Sequence, residues 1–138
     1  MSTVERVVAL QRVPLFADVP GRWLAAVALR AAEVEVAAGD TVIAEGAVED
    51  HLYAVVDGRL RVHHGDRTLT ELSPGSTVGE LAALVPEPRS ANVTALVPTT
   101  LLRIDKPVLD ELLADRPELA AGIIGSLVVM LRERTRGS

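Results

Sequence analysis

Between residues 33 and 105 the chain consists of short runs of β-branched and other apolar residues. Glycines separate these runs at close, regular spacing, at positions 39, 46, 58, 65 and 75. Short strands with frequent turn residues are typical of a β-sandwich or barrel. The pattern predicts seven strands, at 33–36, 41–44, 51–56, 59–64, 67–72, 92–95 and 100–104.

Two turn motifs in this region indicate β-hairpins. The first is Asp57-Gly58 and the second is His64-Gly65-Asp66. Glycine tolerates the positive φ angles that tight hairpin turns require. We therefore expect each motif to join two strands that pair with each other.

Helical patterns flank the β region on both sides. Apolar residues recur at helical spacing over 3–10 and 21–29, and Pro14 and the 18–20 stretch separate these two helices. After the last strand, Asp105 is a candidate N-cap for a helix to about residue 114, and Pro117 opens a second helix that continues to 136. At 138 residues, one domain is expected over 1–138, with N-terminal helices at 1–30, the β region at 31–105 and C-terminal helices at 106–138.

The charge and composition exclude several classes of protein. A net charge of −5 is the wrong sign for a surface that neutralises a phosphate backbone, so no direct nucleic-acid binding is expected. The chain has no cysteine, which excludes disulfides and thiolate metal sites. Charged residues interrupt the N-terminal apolar residues, unlike a signal peptide, and the apolar run 119–131 is shorter than a membrane span. We expect a cytoplasmic protein without membrane insertion.

One segment inside the β region does not fit a strand. Residues 79–84 have the composition of one or two helical turns that stop before Pro86. The first backbone N–H groups of such a turn, those of Ala82 and Ala83, are expected to face an anion, and Gly79 permits the tight entry. Arg89 offers a planar fork of donors to phosphate oxygens, and Glu80 offers an acceptor to a hydroxyl group.

The stretch Gly79-Glu80-Leu81-Ala82-Ala83-Leu84, followed by Pro88-Arg89-Ser90-Ala91-Asn92-Val93, resembles the phosphate-binding cassette of cyclic nucleotide-binding domains. The nine-residue separation of Glu80 and Arg89 also resembles that cassette. The likeness extends upstream through Leu15-Phe16, Val19, Leu24, Val27, Gly39, Val42-Ile43, Gly46, Leu52-Tyr53, Gly58 and Val62. It therefore covers nearly the whole chain. Val78 departs from the family, which often has an aromatic residue there.

The resemblance implies a mainly β fold with flanking helices. This fold is an antiparallel β-roll, also called a double-stranded β-helix or jelly roll, with a short phosphate-binding helix in a cassette at 79–91. It implies that Glu80 holds the ribose, that Arg89 holds the phosphate, and that helices after Pro117 cover the base. The implied ligand-binding residues are Gly79, Glu80, Leu81, Ala82, Ala83, Arg89, Ser90 and Ala91, with Arg134 and Thr135 as candidate base contacts. The implied ligand is cAMP or cGMP, with cAMP favoured, and no cofactor or metal is expected; a hydroxyl after the arginine, as at Ser90, is compatible with either nucleotide.

Alternatives stay open at this point for single residues and for the domain as a whole. Glu80 alone would complement the dipole of a short helix, Arg89 would pair with Glu87 on a solvated loop, and Ser90 would bond its own backbone. The second hypothesis for the domain is therefore an interaction module that binds no nucleotide. An enzyme of the metal-dependent cupin type is the third hypothesis, since His51, His63 and His64 lie in the β region. It is disfavoured because His63 and His64, as neighbours on a strand, point to opposite faces.

The last predicted helix is apolar on more than one side. One stripe is formed by Leu119, Ile123, Leu127 and Met130 or Leu131, with Ile124 and Val128 beside it. One side is expected to pack on the roll, which leaves the other for a second copy of the chain or for a parent domain. We predict self-association through Ile123, Leu127 and Met130. No catalytic set is visible in the sequence, so a non-enzymatic regulatory module is expected.

Overall fold

A computed structural model of the chain describes residues 1–136; the last two residues of the predicted 106–138 segment lie outside that range. The four α-helices are α1 (Thr3–Gln11), α2 (Gly21–Arg30), α3 (Lys106–Asp115) and α4 (Pro117–Arg136). Two 3-10 turns lie at Pro14–Phe16 and Glu80–Ala83. The strands are β1 (Ala32–Val36), β2 (Thr41–Ile43), β3 (Val48–Glu49), β4 (His51–Asp57), β5 (Leu60–His64), β6 (Arg67–Leu72), β7 (Thr77–Val78), β8 (Glu87–Pro88), β9 (Asn92–Ala95) and β10 (Thr99–Asp105).

The strands form two four-stranded antiparallel sheets. The strand order is β1-β10-β4-β7 in the first and β2-β9-β5-β6 in the second. The short strands β3 and β8 pair with each other outside the two sheets. This arrangement confirms the predicted mainly β fold with flanking helices.

All seven predicted strands are present, and each boundary is within one residue of its predicted position. The sequence pattern did not predict β3, β7 and β8, because a two-residue strand is too short to show a period of two. The helical turn expected at 79–84 is a single 3-10 turn at Glu80–Ala83. Asp105 is the N-cap residue of α3 but its side chain makes no capping bond; its carboxylate accepts from Arg103 Nε at 3.0 Å instead.

The two predicted hairpins have different outcomes. The turn at 64–66 joins β5 to β6, which pair with each other as expected. The hairpin prediction for Asp57-Gly58 was wrong, because this turn leads from β4 in the first sheet to β5 in the second. Thr99 and Pro98 lie so close to Gly58 that no Cβ would fit, so the chain crosses between sheets through a crowded turn that only glycine permits.

The core has two parts. The first fills the space between the sheets and is built from side chains of β2, β4, β5, β9 and β10, including Ile43, Leu60 and Leu101. The second lies between the first sheet and the helices. It contains Leu52 and Leu102 from the sheet together with residues of all four helices. The helical layer is therefore packed directly onto the back of the sheet that carries β7.

Helix α4 packs by a different face than the sequence suggested. Ile123 is buried, and Leu127 packs against the helical core. The prediction that these two residues form a contact with another chain was wrong. The apolar side chains that α4 exposes are Ile124, Val128, Val129 and Leu131.

Candidate functional site

The turn between β7 and β8 begins at Gly79, which lies in the left-handed region with φ 66° and ψ 33°. A Cβ at this position would collide with the guanidinium of Arg89 at Nη1. Glycine is thus required twice, by the backbone conformation and by the guanidinium packed against it. The sequence prediction that Gly79 permits a tight entry agrees with this geometry.

Arg89 is buried, with 7% of the residue exposed. Its Nη2 donates to the carbonyl of His51 at 2.7 Å and to Glu49 Oε2 at 3.2 Å, while its Nε has no hydrogen-bond partner. The alternative pairing with Glu87 on a solvated loop is wrong, since the carboxylate partner is Glu49 and the arginine is not solvated. A buried arginine with part of its donor set unused is suited to bind an additional anion.

Backbone contacts fix the position of Arg89. Its N–H donates to the carbonyl of Ala47 at 2.9 Å, and its carbonyl accepts from Gly46 N–H at 2.8 Å. The pairing of β3 with β8 places Glu49 opposite Glu87 in register. Glu49 is also close to the imidazole of His51, with Oε2 2.7 Å from Nε2, although this pair lacks hydrogen-bond geometry. Sequence reasoning missed Glu49 and His51 as partners of Arg89.

A cavity of about 340 Å³ opens beside the guanidinium. Four predicted ligand-binding residues line it: Gly79, Arg89, Ser90 and Ala91. The rest of the wall is mostly aliphatic and was not assigned by the sequence: Ile43, Val62, Leu72, Thr77, Val78, Glu87, Pro88 and Val93. Strand alternation could have indicated Ile43, Val62 and Val93 as inward-facing residues, but it could not distinguish a cavity wall from a packed core. The volume is within the range of small-molecule sites.

Glu80 lies outside this cavity. Its Oε2 accepts a hydrogen bond of 2.8 Å from the backbone N–H of Leu15, in the 3-10 turn between α1 and α2. Burial raises the pKa of the Glu80 carboxyl above its ordinary value, and the bond from Leu15 opposes part of that rise. The structure thus places the two charged cassette residues on opposite sides of the turn.

The other predicted site residues of the turn do not line the cavity either. Ala82 and Ala83 are fully buried and do not line the cavity. The N–H of Ala82 donates to the carbonyl of Gly79 at 3.0 Å, so the expectation that it faces an anion does not hold in this structure. The side chain of Leu81 is on the surface. The short turn therefore contributes Gly79 to the cavity and buries both alanines, of which Ala83 belongs to the core shared with the helices.

Arg134 and Thr135, the candidate base contacts, lie at the exposed end of α4 and do not line the cavity. The three histidines have separate surroundings: His63 contacts Thr94, and His64 lies 3.2 Å from Glu45. Within residues 1–136, no group of three or more metal-ligating side chains is arranged to hold a metal ion. No helix in the same range is long and apolar enough to cross a membrane.

Comparison with known proteins gives consistent matches. The chain is 29% identical over 128 residues to the CRP-like cAMP-activated global transcriptional regulator of Mycobacterium tuberculosis, covering 89% of this chain and 57% of that protein. It is 38% identical over 89 residues to the cAMP-dependent protein kinase regulatory subunit of Blastocladiella emersonii, covering 61% of this chain and 22% of that protein. The chain thus spans a little over half of the first relative and less than a quarter of the second.

Among solved structures, the N-terminal domain of a transcriptional regulator from Streptomyces coelicolor A3(2) has a TM-score of 0.86 and 33% identity, with 94% of both chains covered. A cyclic nucleotide-binding-like protein from Brucella abortus has a TM-score of 0.73 and 28% identity, over 78% of this chain and 97% of that one. Residues 33–116 match the family described as "Cyclic nucleotide-binding domain". That match covers both sheets, the Gly79 turn and Arg89, and it shows that the chain belongs to the cyclic nucleotide-binding domain family.

Proposed function

We propose that the chain binds a cyclic mononucleotide in the cavity beside Arg89 and reports its presence through the C-terminal helices. The observation that carries this proposal is the buried guanidinium of Arg89, which lies against Gly79 at the cavity wall with its Nε unpartnered. A phosphodiester carries one negative charge and two exocyclic oxygens, which match the unused donors. Ser90, beside Arg89 at the cavity wall, adds a hydroxyl.

We further propose cAMP as the preferred nucleotide. Outside the cassette residues 79–91, Thr77 is the only polar residue among the described residues that line the cavity. An aliphatic wall disfavours guanine more than adenine, because guanine has an additional amine and carbonyl that would lose water without gaining partners. The names of the two relatives described above refer to cAMP. Other relatives are cGMP-dependent protein kinases, such as that of Toxoplasma gondii at 36% identity over 77 residues.

Isothermal titration calorimetry of the chain with cAMP and cGMP tests both proposals. At a ligand concentration of 100 Kd, binding should stabilise the fold by about 2.7 kcal/mol, which is several degrees of Tm for a domain of this size. We expect this shift with cAMP at lower concentration than with cGMP. No heat and no shift with either nucleotide at millimolar concentration would refute nucleotide binding.

The second candidate function is that of an interaction domain that binds no nucleotide. It is favoured by the internal partners of both charged residues, since Arg89 already binds Glu49 and Glu80 already binds Leu15. In this case the two charges would stabilise the turn instead of a ligand. The same titration distinguishes the two functions.

We propose that the exposed face of α4 contacts a second copy of the chain or a parent domain. Ile124 and Leu131 are 61% and 65% exposed, and their spacing of seven residues places them on one face of the helix together with the exposed Val128. For self-association, Leu131→Glu should shift sedimentation toward the monomer without loss of folding. Leu127→Glu, which places a charge against the helical core, should instead unfold the chain. A wild type that is monomeric at high concentration would contradict self-association through this face.

A further inference from the structure

One carboxylate oxygen of Glu49 lies between Arg89 and a histidine. Glu49 Oε2 is 3.2 Å from Nη2 of Arg89 and 2.7 Å from Nε2 of His51. The side chains of Glu49 and His51 are 17% and 19% exposed, so water screens the charges of this group only weakly. The charge of the imidazole therefore acts directly on the carboxylate that holds the guanidinium at the cavity.

His51 also contacts Arg89 through its backbone. The carbonyl oxygen of His51 accepts from Nη2 at 2.7 Å, and the same nitrogen donates to Glu49. His51 is the first residue of β4 and is paired with Asp105 of β10, so the position of its carbonyl is set by the sheet. A substitution at position 51 thus removes the imidazole and keeps the carbonyl contact, which allows the effect of the imidazole to be measured alone.

The surroundings of the imidazole are mainly acidic. Nδ1 of His51 is 3.5 Å from Asp50 Oδ1 and 3.9 Å from Asp105 Oδ1. The ring of Tyr53 stands edge-on at 5.1 Å between centroids, and burial raises the pKa of its hydroxyl, so it is uncharged at neutral pH. The other charged side chains on the neighbouring elements each have a carboxylate beside or opposite them: Arg103 with Asp105, Lys106 with Asp110, and Glu87 opposite Glu49. Of all these groups, imidazole is the one that ordinarily changes its charge between about pH 5 and about pH 8.

We propose that His51 is a positioning residue for Arg89 and that protonation of its imidazole strengthens the binding of the nucleotide phosphate. This inference rests on the proposed function and adds a dependence on pH. A neutral imidazole leaves the carboxylate of Glu49 to cancel much of the charge of Arg89. A protonated imidazole neutralises that carboxylate across the 2.7 Å contact, so the charge of the guanidinium is available to an anion in the cavity. Affinity then rises as the pH falls, and by linkage nucleotide binding takes up protons.

The proposal is tested by titrating the full chain with cAMP at about pH 8 and about pH 6, in wild type and in His51→Gln. The measured quantity is the ratio of the two affinities. The titration of Glu80, which changes affinity in the opposite direction, is common to both chains and cancels in this ratio. We expect the affinity of the wild type relative to His51→Gln to rise by about three- to tenfold as the pH falls over this range.

His64→Gln is the matched control. His64 Nδ1 also lies close to a carboxylate, at 3.2 Å from Glu45 Oε1, but His64 does not line the cavity. Its imidazole therefore has no carboxylate in common with Arg89. The variant should have the affinity of the wild type at both pH values. A pH dependence that is lost equally in His64→Gln and His51→Gln would contradict a specific role for His51.

Proton uptake gives a readout that a merely structural role of His51 would not change. Calorimetry at about pH 7 in two buffers of different protonation enthalpy counts the protons taken up with cAMP. The wild type should take up more protons than His51→Gln, by a fraction of one proton for each nucleotide bound. If His51 only supported the fold, the substitution would lower affinity equally at every pH and leave the proton count unchanged.

Glu49→Gln tests the same coupling without a change at His51. This variant has no carboxylate for the imidazole to neutralise, so its affinity for cAMP should vary by less than about twofold between the two pH values. Glu87→Gln removes the glutamate that lies opposite Glu49 in the β3–β8 pair. Because Glu87 is not the carboxylate that Arg89 and His51 have in common, Glu87→Gln should keep the pH dependence of the wild type.

The possible results separate this inference from the proposed function. If cAMP binds, but the ratio of wild type to His51→Gln is constant or falls as the pH falls, nucleotide binding stands and the role of His51 is wrong. If cAMP at millimolar concentration binds at neither pH, the proposed function fails, and this inference fails with it. If His51→Gln does not fold, as judged by its thermal unfolding, the profile of Glu49→Gln decides: a pH dependence as large as that of the wild type overturns the inference.

Discussion

The two charged residues of the cassette lie only nine positions apart but belong to different parts of the molecule. Arg89 faces the cavity and is held by Glu49 and the His51 carbonyl, which are parts of the roll. Glu80 faces the helices and is held by Leu15. The difference teaches that one short motif can have one side that lines a cavity and another side that is tied to the helical layer. The two residues therefore lead to separate predictions.

The largest effect is expected at Arg89. Arg89→Ala should weaken cAMP binding by about 2–5 kcal/mol, or roughly 1.5 to 3.5 decades in Kd, because it removes one member of a desolvated charge pair. Arg89→Lys should recover part of this, since an ammonium cannot present a planar fork. Calorimetry measures both, with Arg67→Ala on the exposed strand β6 as the control. Wild-type affinity in Arg89→Ala would mean that the phosphate is not bound here.

Glu80→Gln should have a smaller effect on affinity. A charge-assisted hydrogen bond to the ribose is lost while the shape is kept, which is on the order of 1.5–3 kcal/mol. Measured with 2′-deoxy-cAMP, wild type and Glu80→Gln should bind almost equally. A large difference with the deoxy ligand would show that Glu80 acts on something other than the ribose.

The contact between Gly79 and Arg89 can be measured separately from the backbone cost of replacing a glycine at positive φ. Gly79→Ala and Gly39→Ala both introduce a Cβ at positive φ, with a backbone cost of about 1–2 kcal/mol. A Cβ at Gly39 meets no atom within 4 Å, whereas one at Gly79 collides with Arg89. Chemical denaturation should therefore show an extra loss of about 1–3 kcal/mol for Gly79→Ala, the usual cost of overpacking. Equal losses would mean that the guanidinium moves aside freely.

The sequence was sufficient for features that depend on local patterns. Strands such as β4 and β10 show apolar runs of the right length, and the cassette spacing of Glu80 and Arg89 indicated the family. Features that depend on distant partners were not predictable. The acceptor of the Leu15 N–H is 65 residues away, Glu49 is 40 residues from Arg89, and the chemistry of Asp57-Gly58 does not reveal which sheet the next strand joins.

The smallest expected effect is a pH dependence that belongs to the helical side alone. Because burial raises the pKa of Glu80 above its ordinary value of 4.5, the folded chain binds this proton more tightly than the unfolded chain does. The contribution of Glu80 to the free energy of unfolding should therefore fall as the pH rises from 4.5 through the raised pKa, and stay constant above it.

Glu80→Gln has no such proton, so the difference in unfolding free energy between wild type and variant, measured by denaturation at several pH values, should follow this fall. Affinity for cAMP should change in the opposite direction in the wild type, because ionised Glu80 is the better acceptor for the ribose hydroxyl. Arg89→Lys should keep both trends, since it leaves the helical side intact. A difference between wild type and Glu80→Gln that is constant with pH would show that the carboxylate is as well solvated as an exposed one, and the comparison between the two sides of the cassette would lose its electrostatic basis.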